Sequence, residues 1–145
     1  MIEEIRSPKT DAEWDEYYDL RFRVMRKPLG KPSGSERNEG DGNGMHFALF
    51  RDSKICAIAR LDKIDEQMAQ VRFVAVETEI QGSGFGKKIM LATEQKAKEL
   101  GCSKMILHAR DYACDFYRKL GYKEIGPSYK LFDVLQHFEF HKELG

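Results

Sequence analysis

The 145-residue chain holds only four prolines, one tryptophan and three cysteines, and it has no excess charge of either sign. Each shortage excludes something. Cys56, Cys102 and Cys114 are odd in number, and no two have zinc-finger or redox-pair spacing. Three reduced thiols are expected, without a disulfide framework. No His/Cys cluster has metal-ligand spacing either, so no metal is expected. Lys and Arg number 24, as do Asp and Glu. That balance argues against a nucleic-acid binder working by broad phosphate neutralisation. No apolar run approaches the roughly 20 residues that span a bilayer. Residues 1–5 lack a signal peptide's basic and apolar regions. The expectation is a cytoplasmic protein with neither nucleic acid nor membrane as partner. The 41% hydrophobic and 33% charged residues are an ordinary globular mixture, and the length fits one domain over residues 1–145.

Hydrophobic spacing orders the chain. Residues 2–5 read as a short strand. Thr10 and Glu13 form a capping-box pattern, and Trp14, Tyr17, Tyr18 and Val24 follow at helical spacing. Pro28 disfavours helix at Lys27, so this helix should end near Met25 or Arg26. Residues 29–44 carry Gly30, Gly34, Gly40, Gly42 and Gly44, with few apolar groups to offset their ordering entropy. A loop this long is functional or mobile. Residues 45–50, 54–61 and 68–76 read as a strand meander. The near-continuous apolar run from Val71 to Val76 predicts burial on both faces. A second helix shows Phe85, Ile89, Ala92, Thr93, Ala97 and Leu100 on one face, with Gly101 past its end. Residues 104–108 read as a buried strand, and a short helix opening at Asp111 carries Ala113, Phe116, Tyr117 and Leu120. Strands near residues 122–125 and 135–142 close the chain, with Pro127 between them. This order implies an α/β fold with a mixed sheet and helices on both faces.

Between the third meander strand and the second helix lies Gln81-Gly82-Ser83-Gly84-Phe85-Gly86. Glycines permit positive φ and close approach of a ligand to the backbone. The first turn of a helix offers unpaired N–H groups and a partial positive charge. Together they make an anion cradle suited to phosphate, and Lys87 and Lys88 stand beside it. A P-loop does not fit, because Gln81 and Lys88 occupy two of its required positions. A dinucleotide fingerprint fails at Lys87 or Ile89.

The pattern that fits is Gln/Arg-x-x-Gly-x-Gly/Ala, met by Gln81, Gly84 and Gly86. Downstream, Ala113-Cys114-Asp115-Phe116-Tyr117-Arg118-Lys119-Leu120-Gly121-Tyr122 is similar to Ala-x-x-Phe-Tyr-x-Lys-Leu-Gly-Phe, with Tyr122 the single departure. On these two motifs the chain resembles the GNAT superfamily of N-acetyltransferases. The likeness is good over residues 45–125, and residues 20–30 resemble the opening helix and loop of small bacterial members.

The resemblance implies a mixed, mostly antiparallel sheet whose strands splay at a coenzyme A site. It implies acetyl-CoA as co-substrate, its pyrophosphate held by backbone amides of Gln81, Gly82, Ser83, Gly84, Phe85, Gly86 and Lys87. It implies that backbone groups of Val74, Ala75 and Val76 bond the pantetheine arm and the acetyl carbonyl. Tyr117 matches the family's tyrosine that gives a proton to the leaving thiolate. A phenol stays protonated at neutral pH and can do so. Glu77, Glu79, His46 and His108 are each candidates for the base, as is a water chain. Cys114 reads as a small packing residue. The acceptor is an amine, small molecule or peptide, and a homodimer is compatible with the family. Two other readings stay open: a non-catalytic CoA-binding module that regulates a partner protein, and an interaction domain with an empty turn.

Overall fold

A computed structural model describes residues 2–145. In chain order the elements are β1 (Glu3–Arg6), α1 (Asp11–Met25), β2 (Met45–Arg51), β3 (Lys54–Lys63), β4 (Met68–Val76), α2 (Phe85–Glu99), β5 (Lys104–Arg110), α3 (Cys114–Lys119), β6 (Lys123–Leu131) and β7 (Leu135–Glu143). The strands form one sheet in the order β1-β2-β3-β4-β5-β7-β6. Only β4 and β5 run parallel. The mixed, mostly antiparallel sheet implied by the sequence is therefore present.

The alternation of each strand feeds two cores. On one face α1 seals Tyr17 and Leu20 against Ala48, Phe50, Ile55, Ile58 and Ala75. On the other, α2 and α3 set Phe85, Ile89, Met90, Ala97 and Tyr117 against Leu49, Ala57, Ala59, Leu61 and Phe140. Helices thus lie on both faces, as their apolar stripes require.

Several local details differ from the sequence expectation. Thr10 caps α1 by accepting from the Glu13 N–H at 3.1 Å. The return contact from Glu13 to the Thr10 N–H is the weakest that carboxylate makes. Glu13 chiefly accepts from both ends of the Arg6 guanidinium, at 2.9 Å each, and from the Lys9 N–H at 2.8 Å. Pro127 lies inside β6 rather than between strands, paired with Phe138 beside register shifts. It is tolerated because β6 is the sheet's edge, where a missing N–H costs no ladder bond.

The 29–44 segment, poor in apolar groups, follows a path held by charge. Arg21 is fully buried and Arg60 nearly so. Arg21 Nη1 donates to both Asp41 oxygens at 3.0 Å, and Arg60 Nη1 donates to Asp41 Oδ1 at 2.8 Å. Asn38 caps a 3-10 turn, Glu39–Gly42, that presents Asp41 to them. Ionic hydrogen bonds of this kind are strong where water is excluded.

One irregularity sets up the site. In the β3–β4 register Ile58 faces Ala75 and Arg60 faces Arg72, so Phe73 and Val74 stand together against Ala59. Phe73 takes φ 55°, a costly value for an aromatic residue. This β-bulge bends β4. Pairing with β5 stops after Gln70 and Ile106. Beyond them the parallel strands part into a fork.

Candidate active site at the fork of strands β4 and β5

The bend leaves Val74 in the bulge and Ala75 and Val76 paired to β3, with none of the three paired on the β5 edge. Val74 and Val76 are half-buried, while Ala75 faces the α1 core. The burial on both faces expected of this run is thus incomplete, because the run borders a cleft. The cleft has a volume of about 420 Å³ and runs from Val74–Val76 past Gly82, Gly84 and Gly86 to Phe116 and Tyr117.

The glycine turn forms one wall. Gly82 and Gly84 have φ of 87° and 92°, the left-handed region that glycine enters without penalty. Gly84 is the N-cap of α2 and offers no side chain to the helix amides. Among the described residues, no acceptor meets the N–H groups of Gly84, Phe85, Gly86 or Lys87; the first intrahelical bond is Lys88 N–H to Gly84 O at 3.1 Å. Gly86 is needed for a different reason. A Cβ there would lie 3.0 Å from the Phe116 ring, so any larger residue would push that ring, and with it the cleft wall, outward. The result is a row of free donors at a positive helix end, which suits an anionic phosphate group.

Not every residue named from sequence does the same work. The Gln81 side chain donates to Val76 O at 3.1 Å and ties the turn to β4. The Ser83 N–H is used within the turn, on Ile80 O, and the Ser83 side chain does not line the cleft. The Phe85 ring is buried in the core, leaving only its amide for a ligand. Lys87 lines the cleft, whereas Lys88 Nζ is committed to Glu3 at 2.8 Å.

Tyr117 stands apart from the other buried tyrosines. The Tyr17 hydroxyl bonds His46 Nδ1 at 2.7 Å, and the Tyr122 hydroxyl donates to Glu94 at 2.7 Å. Tyr117 is only 7% exposed, lines the cleft, and its hydroxyl has no partner among the described residues. The ring is buried but the hydroxyl is not among the buried side-chain atoms that lack a partner, so it opens into the cleft. Burial also raises the Tyr117 phenol above its ordinary range. It is a protonated donor with an unspent hydrogen bond.

The candidate bases separate on geometry. Glu77 is clamped by Arg23 at 2.5 and 3.0 Å, which holds its carboxyl below the usual range. His46 is engaged at both ring nitrogens, by Tyr17 and by Asp41 O. Glu79 does not line the fork. His108 does, in a small cavity deeper in the fork that also touches Val74 and Tyr117. Its Nδ1 meets Ser128 Oγ at 2.9 Å. Burial, then nearby Arg72, keeps its imidazole neutral to lower pH than usual. Cys114 stays a thiol, raised by burial, and contacts Arg110 O.

Sequence reasoning missed Val24 and Tyr112, which complete the cleft. Val24 sits in the α1 stripe and gives no signal of a second role. A broader hollow of about 900 Å³ beside α1 and β2 contains neither the turn nor Tyr117.

Residues 3–122 match the family model for the "Acetyltransferase (GNAT) family". The chain belongs to that family. It is 34% identical over 95 residues to a UPF0039 protein of Schizosaccharomyces pombe, covering 64% of this chain and 63% of that one. The match thus spans somewhat less than two thirds of the yeast relative. The fold is similar to that of a Lactobacillus plantarum protein crystallised as a candidate N-acetyltransferase, with TM-score 0.87, 22% identity and full coverage of both chains. It is also similar to an aminoglycoside 6'-N-acetyltransferase complexed with coenzyme A, with TM-score 0.83 and 13% identity over 100% of this chain and 98% of that one. In this GNAT chain, the cradle, the free β4 edge and the unpartnered Tyr117 hydroxyl meet in one cleft.

Proposed function

We propose that the chain is an acetyl-CoA-dependent N-acetyltransferase that moves an acetyl group directly to a primary amine. The observation that carries this reading is the Tyr117 hydroxyl: borne on a buried ring, protonated, without a protein partner, and open to the cleft that begins at the anion cradle.

The chain's residues divide the work. Amides of Gly84, Phe85, Gly86 and Lys87 hold the pyrophosphate, and Gln81 keeps the turn seated against β4. The unpaired edge of Val74–Val76 orients the pantetheine amides and donates to the acetyl oxygen as charge grows there. His108, neutral and placed in the fork, accepts the amine's proton directly or through water. The amine nitrogen bonds the acetyl carbon, the carbon–sulfur bond breaks, and Tyr117 passes its proton to the departing sulfur. Two protons leave the nitrogen: the first, lost as the ammonium becomes a free amine, passes through His108 to solvent, and the second, lost once the carbon–nitrogen bond forms, restores the Tyr117 phenol that protonated the sulfur.

A regulatory module that only binds CoA would not need an open phenol at this position. Thermal unfolding with and without acetyl-CoA tests the reading. Acetyl-CoA at 100 times its Kd should stabilise the protein by about 2.7 kcal/mol. No stabilisation at saturating concentration removes the reading.

A further inference from the structure

The acceptor side of the fork has an unusual charge pattern. Arg6, Arg21, Arg23, Arg37, Arg60 and Arg118 all pair with carboxylates. Arg26, Arg72 and Arg110 pair with none among the described residues, and all three line one cavity of about 190 Å³ with His108 and His137. No carboxylate lines that cavity. The nearby acids are engaged elsewhere: Glu36 with Arg37 and the Gly34 N–H, Asp41 with Arg21 and Arg60, and Glu139 with His141.

Two of these cations are buried. Arg26 and Arg110 are each 8% exposed. Arg110 Nη2 donates to Met25 O at 3.0 Å, but its Nε is buried without a partner. Arg26 uses its Nε and Nη1 on the carbonyls of Ser35 and Met25, leaving Nη2 free. Arg72 makes no hydrogen bond among the described residues and lies 5.1 Å from the Phe73 ring centre. Burying charges without an ion-pair partner costs several kcal/mol each; the bonds to Met25 O and Ser35 O offset part of that for Arg26 and Arg110, but leave Arg110 Nε, Arg26 Nη2 and the whole Arg72 guanidinium unused. The adjoining small cavity, which shares Arg72, His108 and Arg110, connects this pocket to Tyr117.

We propose that this pocket selects an acceptor whose amine is carried on a small molecule with an anionic group, a carboxylate or a phosphate monoester, bound by Arg26, Arg72 and Arg110. The anion fills the vacant donors, Arg110 Nε first, and directs the amine toward His108 and Tyr117. Polycationic acceptors meet like charge here and are disfavoured. The same positive field favours the amine's neutral, nucleophilic form.

This inference rests on the acyl-transfer reading, and its test separates the two. Primary amines are offered in matched pairs with saturating acetyl-CoA. One member carries a carboxylate or a phosphate monoester, and the other is its neutral amide or alcohol counterpart. Thiol release should give the anionic member a kcat/KM higher by about tenfold to a hundredfold, the effect of one or two hydrogen bonds to a charged group. Running the carboxylate and phosphate series separately identifies the anion. Arg72→Gln should cut that ratio about tenfold through the amine KM, with the acetyl-CoA KM unchanged. Arg110→Gln should do more, although it also frees the Met25 carbonyl and can impair folding, so Arg72→Gln decides. A second readout needs no turnover: with CoA bound, the anionic member alone should raise the melting temperature of the wild type and not of Arg72→Gln. If acetyl-CoA fails to bind, both readings fall. If it binds and neutral or polycationic amines react as well as anionic ones, or Arg72→Gln leaves the ratio intact, this inference alone is overturned.

Discussion

Phe73, at the bulge of β4, has cationic groups around it that belong to two different regions. Arg21 and Arg60 lie 4.1 and 5.2 Å from its ring centre, and Arg72 and Arg26 lie 5.1 and 6.0 Å away. The first pair converges on Asp41 and Asp62 and is neutralised. The second pair, with Arg110, makes no ion pair among the described residues and lines the cavity at the fork. Both regions contain buried arginine, so burial alone does not separate a structural charge from a functional one. The missing carboxylate does. In the neutral region, charge replaces an apolar core and fixes the 29–44 segment. In the open region, charge waits for a ligand.

Removing the counter-charge is the strongest way to break that contrast. Asp41→Ala strands Arg21 in the interior, leaves Arg60 with Asp62 as its one carboxylate, and should cost about 3–5 kcal/mol in denaturant unfolding. It should also raise proteolysis within residues 29–44. A loss below about 1 kcal/mol would mean that the segment is held by something else. The histidines give a smaller effect that spans both regions. Burial lowers the pKa of His46, His108 and His137 from the ordinary 6.5. The unfolded chain therefore binds more protons than the folded one once pH falls to about 6.5. Stability is fully present above that value and is lost as pH drops through the lowered folded pKa values. Melting temperature should fall between pH 7 and 5, and turnover should fall with it as His108 takes a proton. A flat profile would contradict the buried, neutral assignment. Smallest of all should be the stability change in Arg72→Gln, within about 0.5 kcal/mol, because that half-buried side chain makes neither an ion pair nor a hydrogen bond among the described residues.

How much of this was legible in the sequence differs between the same two regions. The fold and the cradle were largely legible. Gln81, Gly84 and Gly86 announce a strand–turn–helix anion site, and the strand bounds at Met68–Val76 follow from β-branched periodicity. The fork was legible only through family resemblance, because the bulge at Phe73 has no local signal: an aromatic residue at positive φ runs against propensity. Residues 29–44 were legible as a loop, but not the path the loop takes. Composition gave too few apolar groups, and the ion pairs that hold it join residues about 20 apart, Arg21 and Arg60 to Asp41. The open cluster was invisible for the same reason. Arg26, Arg72 and Arg110 come from the C-cap of α1, from β4 and from β5, and nothing in a balanced charge total shows that three arginines lack carboxylate partners.

The central claim concerns the unpartnered hydroxyl of Tyr117, and Tyr117→Phe tests it with the least disturbance, since the ring keeps its place beside Phe116 and Tyr122. The measurement is kcat for thiol release at neutral pH with saturating acetyl-CoA and the best amine of the panel, set beside the acetyl-CoA Kd of the same variant. The account predicts a fall in kcat of about a hundredfold or more with the Kd unchanged. An unchanged kcat would contradict it.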